Sequence, residues 1–406
     1  MSFFRKPRHR WGLLLGAAFL MATSAIGPGF LTQTSVFTAQ FGASFGFVIL
    51  MSVLLDIGAQ MNVWRVIAIA EQRAQDIANA VLPGLGYMLA AFIVLGGLAF
   101  NIGNIAGAGL GVNVLLGFSV EVGAVLSAAI AIGIFLWKEA GRAMDRVTQS
   151  LGLMMVGLTL YVAVTARPPV DEALLRTLAP APPEGQRDAF LLSIVTLVGG
   201  TVGGYITFAG AHRLLDGGIK GKESLPQVTR SSVSGILVTA VMRGVLFLAA
   251  LGVVAQGAEL DPKNPPASVF QLAAGPIGYK LFGMVMWAAA ITSVAGSAYT
   301  SVSFLRTFHR ALDNYYRGII IGFIATSTVI FVWVGRPVAL LILAGALNGL
   351  VLPISLAILL IAAHCTTIVH DYKHPWWMTF AGALVAVAMA CLGTWTLVTE
   401  LPKLIR

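Results

Sequence analysis

Two short stretches of the chain carry hydrogen-bonding side chains beside residues that interrupt a helix. The first is Ile26-Gly27-Pro28-Gly29-Phe30-Leu31-Thr32-Gln33-Thr34-Ser35, with Thr38 a turn further on; the second is Gly199-Gly200-Thr201-Val202-Gly203-Gly204-Tyr205, followed by Thr207. Proline removes a backbone donor and glycine lowers the cost of unwinding. Unwound backbone exposes N–H groups on one half-helix, which bind anions, and C=O groups on the other, which bind cations. The polar side chains are all neutral: Thr32, Gln33, Thr34 and Ser35 at the first break, and Thr201 and Tyr205, flanking Gly203 and Gly204, at the second. A hard divalent ion wants carboxylate oxygens, and a softer transition metal wants imidazole or sulfur. These two breaks supply neither, and their donors suit a small polar or anionic solute.

Two charges stand alone in apolar runs, Asp56 and Arg243. Counted by helical rise from the ends of their segments, their heights differ by about 6 Å. Intramembrane charges usually pair or face a cavity. The two are therefore read as a structural pair or as a coupling or substrate site, with Arg243 able to clamp an anion. Thr292, Ser293, Ser297, Thr300 and Ser301 form a hydroxyl-rich face further along; such hydroxyls commonly bond back to the preceding turn. Cys365 and Cys391 have no paired spacing and the six histidines do not cluster. No metal site and no bound cofactor are expected. A nucleophile–base pair, paired carboxylates and a nucleotide-binding loop are also missing, which argues against an enzyme or a primary pump.

The elements that must position these residues are membrane helices. Of 406 residues 57% are hydrophobic and 11% charged, against about 25% charged in an average soluble domain, and the mean hydropathy is +0.86. A span needs about 20 apolar residues. Such segments lie near 11–38, 44–69, 85–116, 120–137, 147–166, 189–210, 233–256, 280–301, 317–334, 338–362 and 376–398. This predicts an all-α integral membrane protein of eleven transmembrane helices. Five plus five plus one describes them: one repeat over about 11–166, an inverted copy over about 189–362, and an extra helix over about 376–398, all within a single transporter domain, 1–406. The two breaks then fall in corresponding spans, the first and the sixth, which is the best sequence pointer to a transporter's central site.

The net charge of +9 is topological. Seventeen of the 26 Lys and Arg residues fall in loops on the N-terminal side and seven on the other, with Arg243 and Lys280 within or at the lip of spans. By the positive-inside rule the N-terminus is cytoplasmic and the C-terminus outside. The expected location is a bacterial cytoplasmic membrane; the expected partners are a small-molecule substrate and the lipid bilayer, with no nucleic acid and no obligate protein partner.

Phe41-Gly42-Ala43-Ser44-Phe45-Gly46-Phe47, Gln75-Asp76-Ile77-Ala78, Asn113-Val114-Leu115-Leu116-Gly117 and Gly199-Gly200-Thr201-Val202 resemble the NRAMP (natural resistance-associated macrophage protein) family of divalent-metal transporters, and the likeness runs along most of the chain. It implies the leucine-transporter fold, with broken first and sixth helices and alternating access. The family's Asp-Pro-Gly-Asn metal motif falls on Leu31-Thr32-Gln33-Thr34 if register is fixed on Phe41 to Phe47, or on Thr38-Ala39-Gln40-Phe41 if it is fixed on Gly27-Pro28-Gly29. Its Met-Pro-His falls on Gly203-Gly204-Tyr205. The two acids of its proton route fall on Asn101 and Asn104, which cannot exchange a proton near neutral pH. In this fold, hydroxyls such as Thr292, Ser293 and Ser297, together with carbonyls of the first break, can hold sodium, which makes Na⁺ the candidate coupling ion. The chain looks like a divergent bacterial branch, members of which tend to be encoded beside enzymes of 5-oxoproline breakdown. The expected function is a secondary transporter of a small polar or anionic organic solute, an amino-acid-like carboxylate such as 5-oxoproline, with ion coupling. The alternative is a divalent-metal transporter with a relaxed site, for example for Mg²⁺.

Overall fold

The computed structural model of the chain describes residues 26–305, 308, 312 and 314–399, with side chains for all of these except 138–150. The first half of the expected first span, at 11–25, lies outside the described residues, as do Arg306, Arg310 and the basic residues of both termini. The described residues are helical, with no strand among them. In chain order the helices are α1 (Pro28–Phe41), α2 (Phe45–Ala70), α3 (Ala74–Val81), α4 (Leu85–Leu116), α5 (Val120–Leu136), α6 (Lys138–Thr165), α7 (Val170–Leu178), α8 (Arg187–Thr201), α9 (Tyr205–Asp216), α10 (Leu225–Ala255), α11 (Pro265–Leu305), α12 (Tyr316–Val334), α13 (Pro337–Ala362), α14 (Thr366–Val369) and α15 (Trp376–Thr399).

Local chemistry sets the ends. Pro28, Pro337 and Pro226 sit in the first turn of α1, α13 and α10, where a missing N–H costs nothing. Ser119 caps α5 by accepting from the Val122 N–H at 3.3 Å. Gly275 breaks the helical path inside α11 just before Pro276, so the part of α11 that matches the expected eighth span begins there.

Eight helices or joined helices among the described residues are long and apolar enough to cross a membrane, or nine if the pair Leu151–Thr165 and Val170–Leu178, bent by 104°, counts as one span. The expected number of eleven is not reached on this measure, for two physical reasons. Pro28–Ala70 runs as one apolar stretch of 43 residues that holds both the described part of the first expected span and all of the second. The fourth expected span, Val120–Leu136, has only 17 residues, short of the usual 20 or so.

Helix α4 packs between α11 and α13, with α1 against all three and α8 along α13 and α1. Helix α2 lies along α10, α8 and α15. At one end of α2, Asn62 donates to the Met378 carbonyl at 3.0 Å and its Oδ1 lies 2.8 Å from His374 Nε2. Burial, then the charge of Arg65 and the neighbouring His364, hold His374 down at about 4, so the ring that fastens α15 to α2 is neutral at pH 7.

Candidate functional site

The sixth span is broken where the glycines predicted. Helix α8 ends at Thr201, residues 202–204 are non-helical, and α9 restarts at Tyr205. Gly204 has φ +53, a region open to glycine and strained for other residues. A Cβ there would also run into Asn348 Oδ1. The break is narrower than expected: Gly199 and Gly200 are helical, and Gly199 instead lets the α13 backbone at Gly345 come into contact. At the first glycine–proline stretch, α1 starts at Pro28 after the extended residue Gly27, and the residues before 26 lie outside the described ones.

The starts of α1 and α9 meet the middle of α4 and α11 in one polar cluster. Asn101 and Asn104, three residues apart and so on one face of α4, are at most 3% exposed. Ser297 donates to Asn101 Oδ1 at 3.2 Å. The Tyr205 hydroxyl reaches both Ser297 and Asn104, and its ring packs edge-on against Phe100 at 5.5 Å. A Cβ placed on Gly27 would lie 3.3 Å from Ser293 Oγ and 3.7 Å from Asn104 Oδ1, so Gly27 faces the same cluster. Both amide nitrogens, Asn101 Nδ2 and Asn104 Nδ2, are buried without a hydrogen-bond partner. Two free amide donors beside two helix N-termini are an acceptor-binding arrangement. Asn101, Asn104, Tyr205 and Ser297 are all buried.

Asp56, Arg243 and Thr201 form a second centre on the other side of the break. Arg243 Nη1 donates to Thr201 Oγ1 at 3.3 Å, and its guanidinium lies 4.4 Å from the centre of the Phe30 ring in α1. Asp56 also reaches Thr201. Arg243 Nε and Nη2 and Asp56 Oδ1 are buried and unpartnered. Asp56 and Arg243 both line a cavity of about 10 Å³, with Ser52, Thr201 and Thr239 among its other walls. No direct ion pair joins them among the described residues.

The first-span residues behave differently from expectation. Thr32, Gln33, Thr34 and Ser35 are not on unwound backbone; all four lie inside α1 and are buried. Thr34 and Thr38 each donate to the carbonyl four residues back, at 2.7 and 2.6 Å, so their donor hydrogens are taken within the helix. Gln33 Nε2 donates to Leu341 O at 3.0 Å and its side chain fits against Gly200 and Gly345, tying α1 to α8 and α13. Thr292 bonds back to Ala288 O and Ala289 O and stays outside the cluster. Of the hydroxyls named for an ion, Ser297 bonds to Asn101 and Ser293 faces Gly27 in the neutral cluster, while Thr292 bonds within its own helix. Sequence reasoning missed Asn348, which donates to Gly96 O and Ala344 O at 2.9 and 2.8 Å and holds its unpaired Oδ1 against Gly204. A lone amide in the apolar α13 was the available signal.

A helix broken at residues 202–204 that brings neutral donors together in the middle of a long-helix bundle is the arrangement of a membrane transporter. The natural resistance-associated macrophage protein-like (Nramp) family model matches residues 18–399. An uncharacterized membrane protein of Bacillus subtilis (strain 168), YcsG, is 63% identical over 98% of this chain and 97% of its own length. The chain therefore belongs to the Nramp family. Its fold resembles that of an Eremococcus coleocola manganese transporter mutant (TM-score 0.75, 14% identity, 97% of this chain and 87% of that one). It also resembles MhsT in complex with L-phenylalanine (TM-score 0.67, 16% identity, 94% and 98% covered). The structure adds a third register to the two open for the Asp-Pro-Gly-Asn motif. Laying the motif's Pro-Gly on Pro28-Gly29, where α1 starts, puts its aspartate place at Gly27, which faces Asn104 and Ser293. In all three registers no carboxylate stands there.

Proposed function

We propose that this Nramp-family transporter carries a small organic anion, an amino-acid-like carboxylate of the 5-oxoproline kind, by alternating access across a bacterial cytoplasmic membrane, with its N-terminus inside as the loop charges imply. The observation that carries the reading is the donor set at the centre. Asn101 Nδ2 and Asn104 Nδ2 are unpartnered, the Tyr205 hydroxyl adjoins Asn104, and the starts of α1 and α9 add helix-dipole charge of the sign an anion needs. The fold leaves the cargo open, since function lives in the site rather than the frame; one structural neighbour is a manganese transporter and another holds L-phenylalanine. Neutral amides and hydroxyls bind a carboxylate without a full countercharge. A transition-metal ion would have to exchange its water for ligands of the wrong softness. A lactam acid such as 5-oxoproline adds one N–H donor and one C=O acceptor, which asparagine amides match with their two ends.

Calorimetry on the purified chain tests this, with L-5-oxoproline and related carboxylates against Mn²⁺ and Mg²⁺. Saturable heat from a carboxylate, lost in Asn104→Ala, is the expected result. Saturable Mg²⁺ or Mn²⁺ binding with no response to any carboxylate would replace this reading with metal transport.

A further inference from the structure

With the third-span acid places filled by Asn101 and Asn104, Asp56 is the one buried carboxyl among the described residues. We infer that Asp56 is the proton-exchanging group of this transporter, with Arg243 as its fixed countercharge and Thr201 as the hydroxyl that reports its charge to the broken sixth helix. This goes beyond the substrate reading and stands on a different part of the molecule.

The cavity between the two side chains, about 10 Å³, is at the lower limit for one water molecule. A substrate carboxylate does not fit and would be repelled by Asp56. A sodium ion would have to sit beside the buried guanidinium, whose Nε and Nη2 already point at nothing. A proton needs no volume and binds the carboxylate itself, so it alone among the candidate ions suits the space and the charge. The step is simple in its balance. One H⁺ arrives from water on one side and forms an O–H bond on the Asp56 carboxylate. The same bond breaks to release H⁺ to the other side, and Arg243 keeps its charge throughout.

Thr201 supplies the link to conformation. Its hydroxyl has one hydrogen and two acceptors in reach: the Leu197 carbonyl at 2.8 Å and the Asp56 carboxyl. A charged Asp56 competes for that hydrogen more strongly than a neutral one, because hydrogen bonds to ionised acceptors are the stronger. Proton binding therefore returns the Thr201 hydroxyl to Leu197 O and closes the last turn of α8 directly before residues 202–204. Arg243, lying over Phe30, brings the first turn of α1 into the same unit.

The groups facing Asp56 are few. Helix α10 presents Arg243 and α8 presents the non-titrating Thr201. Helix α1, α13 and α15 carry no Asp, Glu, Lys, Arg or His within their bounds. The charged residues of α7 (Asp171, Glu172, Arg176) pack at the start of α2, where Gly46 meets Thr177. Those of α9 (His212, Arg213, Asp216) lie toward the far end, where Arg73 pairs with Asp216 at 2.9 Å.

The test is infrared difference spectroscopy of the full chain in lipid, stepped between mildly acid and mildly alkaline buffer. The parent is expected to show a protonated-carboxyl C=O band that disappears in Asp56→Asn and returns, shifted, in Asp56→Glu. Asp56→Asn/Arg243→Gln, which leaves no unpaired charge, guards against misfolding and should lack the band too. An Asp56→Asn spectrum identical to that of the parent would overturn the proposal. In proteoliposomes, accumulation of labelled L-5-oxoproline under an inward proton gradient should fall at least tenfold in Asp56→Asn while solute exchange persists; gradient-driven accumulation that survives the substitution also overturns it. An Asp56 band without any L-5-oxoproline transport would defeat the substrate reading alone, and transport without the band would defeat the proton reading alone.

Discussion

On one side of the break at residues 202–204, Tyr205, Asn101, Asn104 and Ser297 form a cluster without a formal charge; on the other, Thr201 leads to Asp56 and Arg243, an acid and a base with unpartnered atoms around a very small cavity. Both centres are buried, and both touch α8 or α9 at the break. The difference lies in what each can exchange. A neutral amide left unmatched costs about 1–3 kcal/mol, an amount that an arriving solute offsets. A buried ion costs several kcal/mol and is stable only with its partner fixed beside it. The neutral centre is thus suited to a ligand that comes and goes, and the charged centre, with no room for a solute, to a proton.

The sharpest way to break this contrast is to remove half of the charged pair. Arg243→Met leaves Asp56 buried without countercharge and should lower stability by about 3–5 kcal/mol, read from thermal unfolding in detergent. Asp56→Asn/Arg243→Met should recover most of that loss, since two neutral groups need no pairing. A single variant as stable as the parent would show that the two charges do not depend on each other.

Next in size is the break itself. Gly204→Ala puts a side chain at φ +53 and against Asn348 Oδ1. Backbone strain of about 1–3 kcal/mol adds to the disturbed hydrogen bonds of Asn348 to Gly96 and Ala344. Thermal unfolding should fall accordingly, and Gly204→Ala/Asn348→Ala should regain the part that comes from overlap. If Gly204→Ala is neutral, α9 does not need this glycine to restart.

Third, Asn104→Ala and Tyr205→Phe should weaken carboxylate binding by about 1–3 kcal/mol, roughly tenfold to a hundredfold in Kd, with unchanged expression and unfolding. Binding by calorimetry measures the effect. A loss confined to Asp56 or Arg243 variants, with Asn104→Ala binding like the parent, would move the substrate from the neutral centre to the charged one.

The membrane class and the second break were legible in the residues themselves, because apolar run length and the Gly203-Gly204 pair act locally. The family match rests on motifs that are just as local. The neighbours of Asn101, Asn104 and Tyr205 were partly legible: each was named, but Ser297 meeting Asn101 across 196 positions is a tertiary fact. Sequence placed Thr32, Gln33, Thr34 and Ser35 on unwound backbone because Pro28 and Gly29 precede them. Proline in the first turn starts a helix as readily as it ends one, and the same residues therefore read both ways. Asp56 and Arg243 stood out in the chain as lone charges in apolar runs and line one cavity; that their shared neighbour would be Thr201 was not legible, since contact across three helices leaves no period in the chain.

The smallest expected effect decides between hydroxyls that serve a site and hydroxyls that serve a helix. Thr34 donates to Phe30 O at 2.7 Å and Thr292 to Ala288 O and Ala289 O. Each acceptor belongs to the preceding turn of the same helix, so a hydroxyl of this kind adds little to helix stability. Valine has nearly the same shape and lacks the donor. Thr34→Val and Thr292→Val should therefore change stability by under about 1 kcal/mol and leave carboxylate binding and transport within twofold of the parent. Thr201→Val is the informative contrast, because the Thr201 hydroxyl makes the same kind of backward bond to Leu197 O at 2.8 Å and in addition accepts from Arg243. If backward bonding alone made such a hydroxyl dispensable, Thr201→Val would match the other two. It is expected instead to lose stability and proton-driven accumulation together, because valine offers Arg243 Nη1 no acceptor and leaves Asp56 without the Thr201 hydroxyl.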